Sequence, residues 1–120
     1  MATWQPDEAQ LTAVTRMLSA VSGIGATHEQ VCQATRQWEQ LKQHPHMCQY
    51  LCVVFADERQ PLALRQQAGV QLKNCVRWQI SKLDEPAREY VRQTLLPMVA
   101  QTDGALQSTA AFCVAAVAAT

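Results

Sequence analysis

The amino-acid sequence predicts an all-α fold of about six helices set in antiparallel pairs. Three observations predict it. Apolar residues recur three and four positions apart through most of the chain, the period of an amphipathic helix. Helix-start signatures fall between these stretches, as Pro6-Asp7-Glu8, Thr27-His28-Glu29-Gln30 and Asp84-Glu85-Pro86. Strand signals are scarce, with no sustained alternation, no Asn-Gly turn, and only two Tyr and two Phe.

The elements follow in order. Pro6-Asp7-Glu8 puts a proline and two acids in a first turn, where the missing N–H costs nothing and negative charge is favoured. Leu11, Val14, Leu18 and Val21 form the apolar edge of this helix, and Gly23 and Gly25 stop it. Thr27 and Gln30 make a capping box for a second helix carrying Val31, Ala34, Trp38 and Leu41, which ends at His44-Pro45. A short, strongly apolar third helix runs through Met47, Tyr50, Leu51, Val54 and Phe55 to Ala56, where Asp57-Glu58-Arg59-Gln60-Pro61 breaks the pattern.

The fourth helix runs from Leu62 to Ile80. At about 100° per residue, Leu64, Ala68, Leu72, Cys75, Val76 and Ile80 share one side, while Gln66, Val70, Lys73, Asn74 and Arg77 face away. Trp78 falls between the two sides and is expected half-buried against the neighbouring pair. Asp84-Glu85-Pro86 opens a fifth helix with Tyr90, Val91, Leu95 and Val99, whose last turn Pro97 should kink or shorten. Thr102-Asp103-Gly104 then turns the chain into a last helix from Ala105 onward.

Composition narrows the class. A length of 120 residues with 48% hydrophobic content suits one packed domain. Ten basic and ten acidic residues leave a formal net charge of +0, without the electrostatic footprint of a nucleic-acid or membrane-surface binder, so a protein partner is expected. The start has neither a basic nor an apolar leader region, which argues for an intracellular protein. Five cysteines at irregular spacings fit reduced, buried thiols better than a disulfide framework. From Gly104 to Thr120 no residue is charged, but the stretch is shorter than the roughly 20 residues of a span, and reads as a buried helix.

The pairing of helices invites a search for repeats. Superposing Ala34 and Trp38 on Ala68 and Leu72 needs a shift of 34 residues, and superposing Ala110 and Val114 on the same two needs 42. The second shift matches the roughly 40 to 47 residues of HEAT and armadillo units. The fold class is therefore a right-handed α-solenoid of HEAT/ARM-like repeats, approximately 7–43, 46–80 and 84–120, forming part of a longer solenoid. Asp57, Pro61, Arg65, Ala68 and Leu72 look like the HEAT second-helix pattern, in which a turn acid and an early arginine link neighbouring repeats.

Stacked pairs leave a row of second helices along one concave surface, the usual site for a partner. By superposition the second helix presents Cys32, Arg36, Glu39, Gln40 and Gln43 there, and the last helix presents Ser108, Phe112, Ala115 and Ala116. That apolar third patch either meets a partner or is covered by a following repeat. The second reading is favoured, and exposure of the patch would drive self-association through the last helix.

Three runs carry a family resemblance: "WQPDEAQL", "QWEQLKQHPHMCQYL" and "RQQAGVQLKN". Together they resemble the N-terminal region of importin-beta-like nuclear transport receptors, and the opening run is most similar to the karyopherin-beta-2, or transportin, branch. The resemblance implies a HEAT superhelix, shuttling between cytoplasm and nucleus, whose first repeats bind the GTP form of the small GTPase Ran through concave second helices. Lys73 and Asn74 match the family's Leu-Lys-Asn element; Gln66, Val70 and Arg77 join them on the same face, as Arg36, Glu39 and Gln40 do on the second helix. Cargo and nucleoporins would be engaged only through a longer receptor. The chain departs from the family pattern at Trp38, usually aliphatic, at Met47, commonly aromatic, and at Gln107, usually arginine, which interrupts any arginine ladder and predicts weaker packing of the last repeat.

Two other classes compete. His44, His46, Cys48 and Cys52 have the right ligand types for zinc, but they flank a proline and contain no Cys-x-x-Cys pair. A helical-repeat adaptor unrelated to Ran would keep the fold and change the partner. No enzyme and no cofactor are expected, because glycine-rich phosphate loops and paired acidic motifs are missing.

Overall fold

The computed structural model describes residues 4–21, 27–44, 46–79, 82–100 and 103–118. Gly23, Gly25, Pro45, Ile80 and Thr102, on which the sequence places helix stops, a junction, a core contact and a turn, lie outside the described residues. Six α-helices carry the rest: α1 (Glu8–Val21), α2 (His28–Leu41), α3 (Met47–Ala56), α4 (Leu62–Gln79), α5 (Glu85–Leu95) and α6 (Gly104–Ala118). The chain is all-α, and its helix pattern is that of a helical repeat.

Short polar side chains set the helix starts. Asp7 accepts the Gln10 N–H at 2.9 Å, Asp84 the Ala87 N–H at 3.0 Å, and Asp103 the Leu106 N–H at 3.0 Å. Each satisfies one of the orphan donors of a first turn. Both arms of the Thr27–Gln30 capping box are made. Pro97 shortens α5 as expected: regular helix stops at Leu95, and the chain continues as a 3-10 turn over Leu96–Ala100, since proline has no N–H to extend the ladder.

The helices pack as three pairs, α1 on α2, α3 on α4 and α5 on α6. The second and third pairs then stack closely, α5 on α3 and α6 on α4. Central in this arrangement is α3, apolar except for Gln49 and buried from Met47 to Cys52 and at Val54 and Phe55. On α4, Leu64, Ala68, Leu72, Cys75 and Val76 enter the core, as the helical period predicts. Gly69 lets α4 approach α3: a Cβ there would stand 2.7 Å from the Phe55 ring. By contrast α2 packs chiefly on α1 and fully buries only Ala34.

Two expectations are corrected, the linkage of neighbouring repeats by Asp57 and Arg65 and the half-burial of Trp78. Asp57 bonds Arg59 rather than reaching another repeat; its Oδ1 accepts both the backbone and the Nε N–H of Arg59 at 3.0 Å. Arg65, buried, instead donates from Nε to the Phe55 carbonyl at 2.9 Å and so ties α4 to the last turn of α3 within its own pair. Gln107 makes the same kind of bond, from Nε2 to the Val99 carbonyl at 3.0 Å, so a shorter amide holds the last pair where the family usually has a guanidinium. Finally, Trp78 is 77% exposed, because α2 leans on α1 and does not close over it.

The N-terminal segment is pinned by aromatic contacts. Trp4 meets Tyr50 and Tyr90 edge to face, with ring centroids 5.1 and 5.0 Å away, and the Asp7 N–H donates to the Tyr50 hydroxyl at 3.0 Å. One tryptophan thus bridges α3 and α5, a geometry worth about 0.5–1.5 kcal/mol per pair beyond area burial.

Candidate partner-binding cleft

The gap between α2 and α4 is a cleft of about 460 Å³. Its α4 wall is Gln71, Asn74, Cys75 and Trp78, spaced i, i+3, i+4 and i+7 and therefore on one helical face, with Arg77 at its edge. Its other wall is Trp38 of α2 with Lys42 and Gln43 just beyond the end of that helix. Trp38 is half-buried with one side toward the cleft, and that is how a large aromatic fits where an aliphatic residue is usual. Among the described residues no carboxylate lines the cleft, although Lys42 Nζ reaches Glu39 at 2.7 Å.

Next to the cleft, α4 meets α6 through two cations. Lys73 Nζ lies 4.7 Å from the centroid of the Phe112 ring, and Arg77 Cζ lies 5.5 Å from it. The negative face of the ring attracts both, at about 0.5–1 kcal/mol for an exposed cation. More important for binding is what the ring does to position: it holds two long side chains near one place. The face running from α2 across α4 to α6 thus carries Lys42, Lys73, Arg77, Trp38, Trp78 and Phe112, with Glu39 beside Lys42. Such a face suits an acidic, backbone-rich partner surface.

The residues singled out from sequence divide in two. Asn74 and Arg77 are exposed and line the cleft, Lys73 is half-buried on Phe112, and Glu39 holds Lys42. Val70 is 53% exposed and Gln66 half-buried, both on α4. Arg36 is exposed on α2, and Gln40 lines a different groove, about 650 Å³, between α2 and α1 together with Gln10, Arg16 and His44. Sequence reasoning missed Trp38, Lys42, Gln71 and Trp78 as cleft residues. Trp78 carried a signal: it lies four positions after Asn74, one turn along the same face.

Elsewhere the polar chemistry is structural. Cys48 and Cys52 are 0% exposed on α3, and among the described residues no group of three or more His, Cys, Asp or Glu is arranged to hold a metal ion. Burial, with the charge of neighbouring His46, holds the His44 imidazole below its ordinary value.

Paired helices with a cationic, aromatic strip on their second members place the chain in the all-α, helical-repeat class. The sequence profile of the importin-beta N-terminal domain matches residues 34–101, from the middle of α2 to the 3-10 turn after α5. The chain belongs to this family. It is also 34% identical over 112 residues to Transportin-1 of Oryza sativa subsp. japonica, an alignment spanning 90% of this chain, and it is a transportin-like N-terminal region. The aligned part amounts to 12% of the rice protein's length.

Proposed function

We propose that this chain is the N-terminal segment of a nuclear transport receptor and binds the GTP form of the small GTPase Ran through α2 and α4. The observation that carries this reading is the outward placement of Lys73, Asn74 and Arg77 on α4, with the Lys-Asn pair at the position of the family's Leu-Lys-Asn element. Lys73 supplies a point charge and Asn74 a paired donor and acceptor, suited to an acidic switch surface rich in exposed backbone. The role is binding, not catalysis. Cargo and nucleoporins are contacted through a longer receptor, which shuttles between cytoplasm and nucleus.

The test is a titration of the chain with Ran loaded with a non-hydrolysable GTP analogue and, in parallel, with GDP. Binding to the GTP form alone, weakened at least tenfold by Lys73→Ala/Asn74→Ala with the helical far-UV spectrum retained, supports the proposal. Equal binding to both forms, or an unaffected double variant, overturns it and favours an adaptor role unrelated to nucleotide state.

A further inference from the structure

At 77%, Trp78 is the most exposed large apolar side chain among the described residues. It closes the α4 wall of the cleft, and half-buried Trp38 of α2 stands on the other wall. The fold gains little from an indole left in water. A partner that covered it would remove a large apolar surface from solvent, and buried tryptophans of this kind carry a large share of the energy of many interfaces.

Charge decides what this indole can take. A ring face attracts either an apolar group or a cation. Arg77 follows the same helix into the cleft, Lys42 lines it too, and no carboxylate does so among the described residues, so a partner cation would meet like charge. An acid would not. Lys42 is already paired with Glu39 at 2.7 Å, whereas Lys73 and Arg77 rest on the Phe112 ring and make no ion pair with a described carboxylate. Size matters as well. One turn of helix, about 10–12 Å across and about 5.4 Å long, fills roughly 500 Å³. The cleft holds about 460 Å³, which suits a side chain on a loop or extended segment and not a helix laid along it.

We propose that Trp78 anchors the partner, on the reading above that this is Ran in its GTP form: the indole packs on one large apolar side chain of an acidic segment, and Lys73 with Arg77 holds the carboxylate beside it. The two parts act at different stages. The cations attract before contact and speed encounter, while the indole acts only once it is covered and slows departure.

The test is the kinetics of binding to Ran loaded with a non-hydrolysable GTP analogue, at low and at physiological salt. Trp78→Ala should raise the dissociation rate at least tenfold and change association less than twofold at both salts. Trp78→Leu, which keeps apolar area without a ring, should dissociate within threefold of the native chain. Lys73→Ala/Arg77→Ala should slow association at least fivefold at low salt and flatten its salt dependence. Because Trp78 is mostly in solvent, its variants should keep the native far-UV spectrum and melting point. A native chain that binds, with Trp78→Ala dissociating within twofold of it, overturns the anchor and leaves the Ran reading standing. Trp78→Leu as damaging as Trp78→Ala overturns the apolar occupant, in favour of a partner cation on the ring. A native chain that binds neither nucleotide form overturns the anchor and the Ran reading together.

Discussion

At the scale of single residues, the closest approach in the core decides the sign of a substitution. Gly69→Ala on an open helix would gain about 1 kcal/mol from backbone propensity. Here the new Cβ would stand 2.7 Å from the Phe55 ring and 3.3 Å from Thr109, and Phe55 is fully buried. Overpacking costs about 1–3 kcal/mol, so the net effect is a loss of stability, read as a lower urea midpoint with the slope unchanged. Lys73 behaves differently. Its contact with Phe112 is half-exposed, so Lys73→Glu should cost folding less than about 1 kcal/mol while weakening Ran binding at least tenfold. A variant that loses its far-UV helix signal would contradict that separation.

At the scale of elements, α2 depends on its capping more than its neighbours do. It fully buries only Ala34, whereas α3 buries most of its length, so the capping box supplies a larger share of what holds α2 in place. Thr27→Ala should cost about 1 kcal/mol and speed amide hydrogen exchange in α2 while leaving α3 protected. Exchange rising equally in both helices would show that α2 is not a separate unit. Arg65 and Gln107 make a second element-scale case. Each side chain ties its helix to the last turn of the preceding one, so Arg65→Gln should destabilise less than Arg65→Ala in urea unfolding. Equal losses would mean that only the guanidinium matters.

These elements also show what was legible in the sequence. Caps, prolines and apolar periods are local signals, so all six helices, the capping box and the break at Pro97 could be read from residues a few positions apart. The tilt of α2 toward α1 was not legible, because it depends on long-range packing. With it went the cleft, the exposure of Trp78 and the place of Trp38. The Lys73–Asn74 face was found from periodicity on one helix, but the seating of Lys73 and Arg77 on Phe112 needs α6 beside α4. The expectation that Asp57 and Arg65 link neighbouring repeats failed because Arg59, two residues along, reaches Asp57 first and the Phe55 carbonyl takes Arg65.

For the whole molecule, a radius of gyration of 13.7 Å is close to the roughly 13.6 Å of a compact chain of this length, so three pairs form one body. Its response to acid follows from three groups. The His44 imidazole is held below the ordinary 6.5, so between that value and its folded-state value the unfolded chain binds a proton that the folded chain does not. Stability is therefore full above about pH 7 and falls as the solution is acidified through this window. His44→Gln should flatten that part of the curve in thermal melts. The hydrogen bonds from Arg59 to Asp57 and from Arg92 to Glu89 hold both carboxyls low, which adds a second loss only below about pH 4.5.

The central claim is that the α2–α4 face, and not merely this fold, recognises the GTP form of Ran. The most direct measurement is an amide and indole NMR map of the isotope-labelled chain as unlabelled Ran with a non-hydrolysable GTP analogue is added. Shifts concentrated at Arg36, Glu39, Lys73, Asn74, Arg77 and the Trp78 indole N–H, absent with Ran–GDP, are the predicted result. Shifts confined to α1, α3 and α5, with the α2–α4 face unchanged, would contradict it.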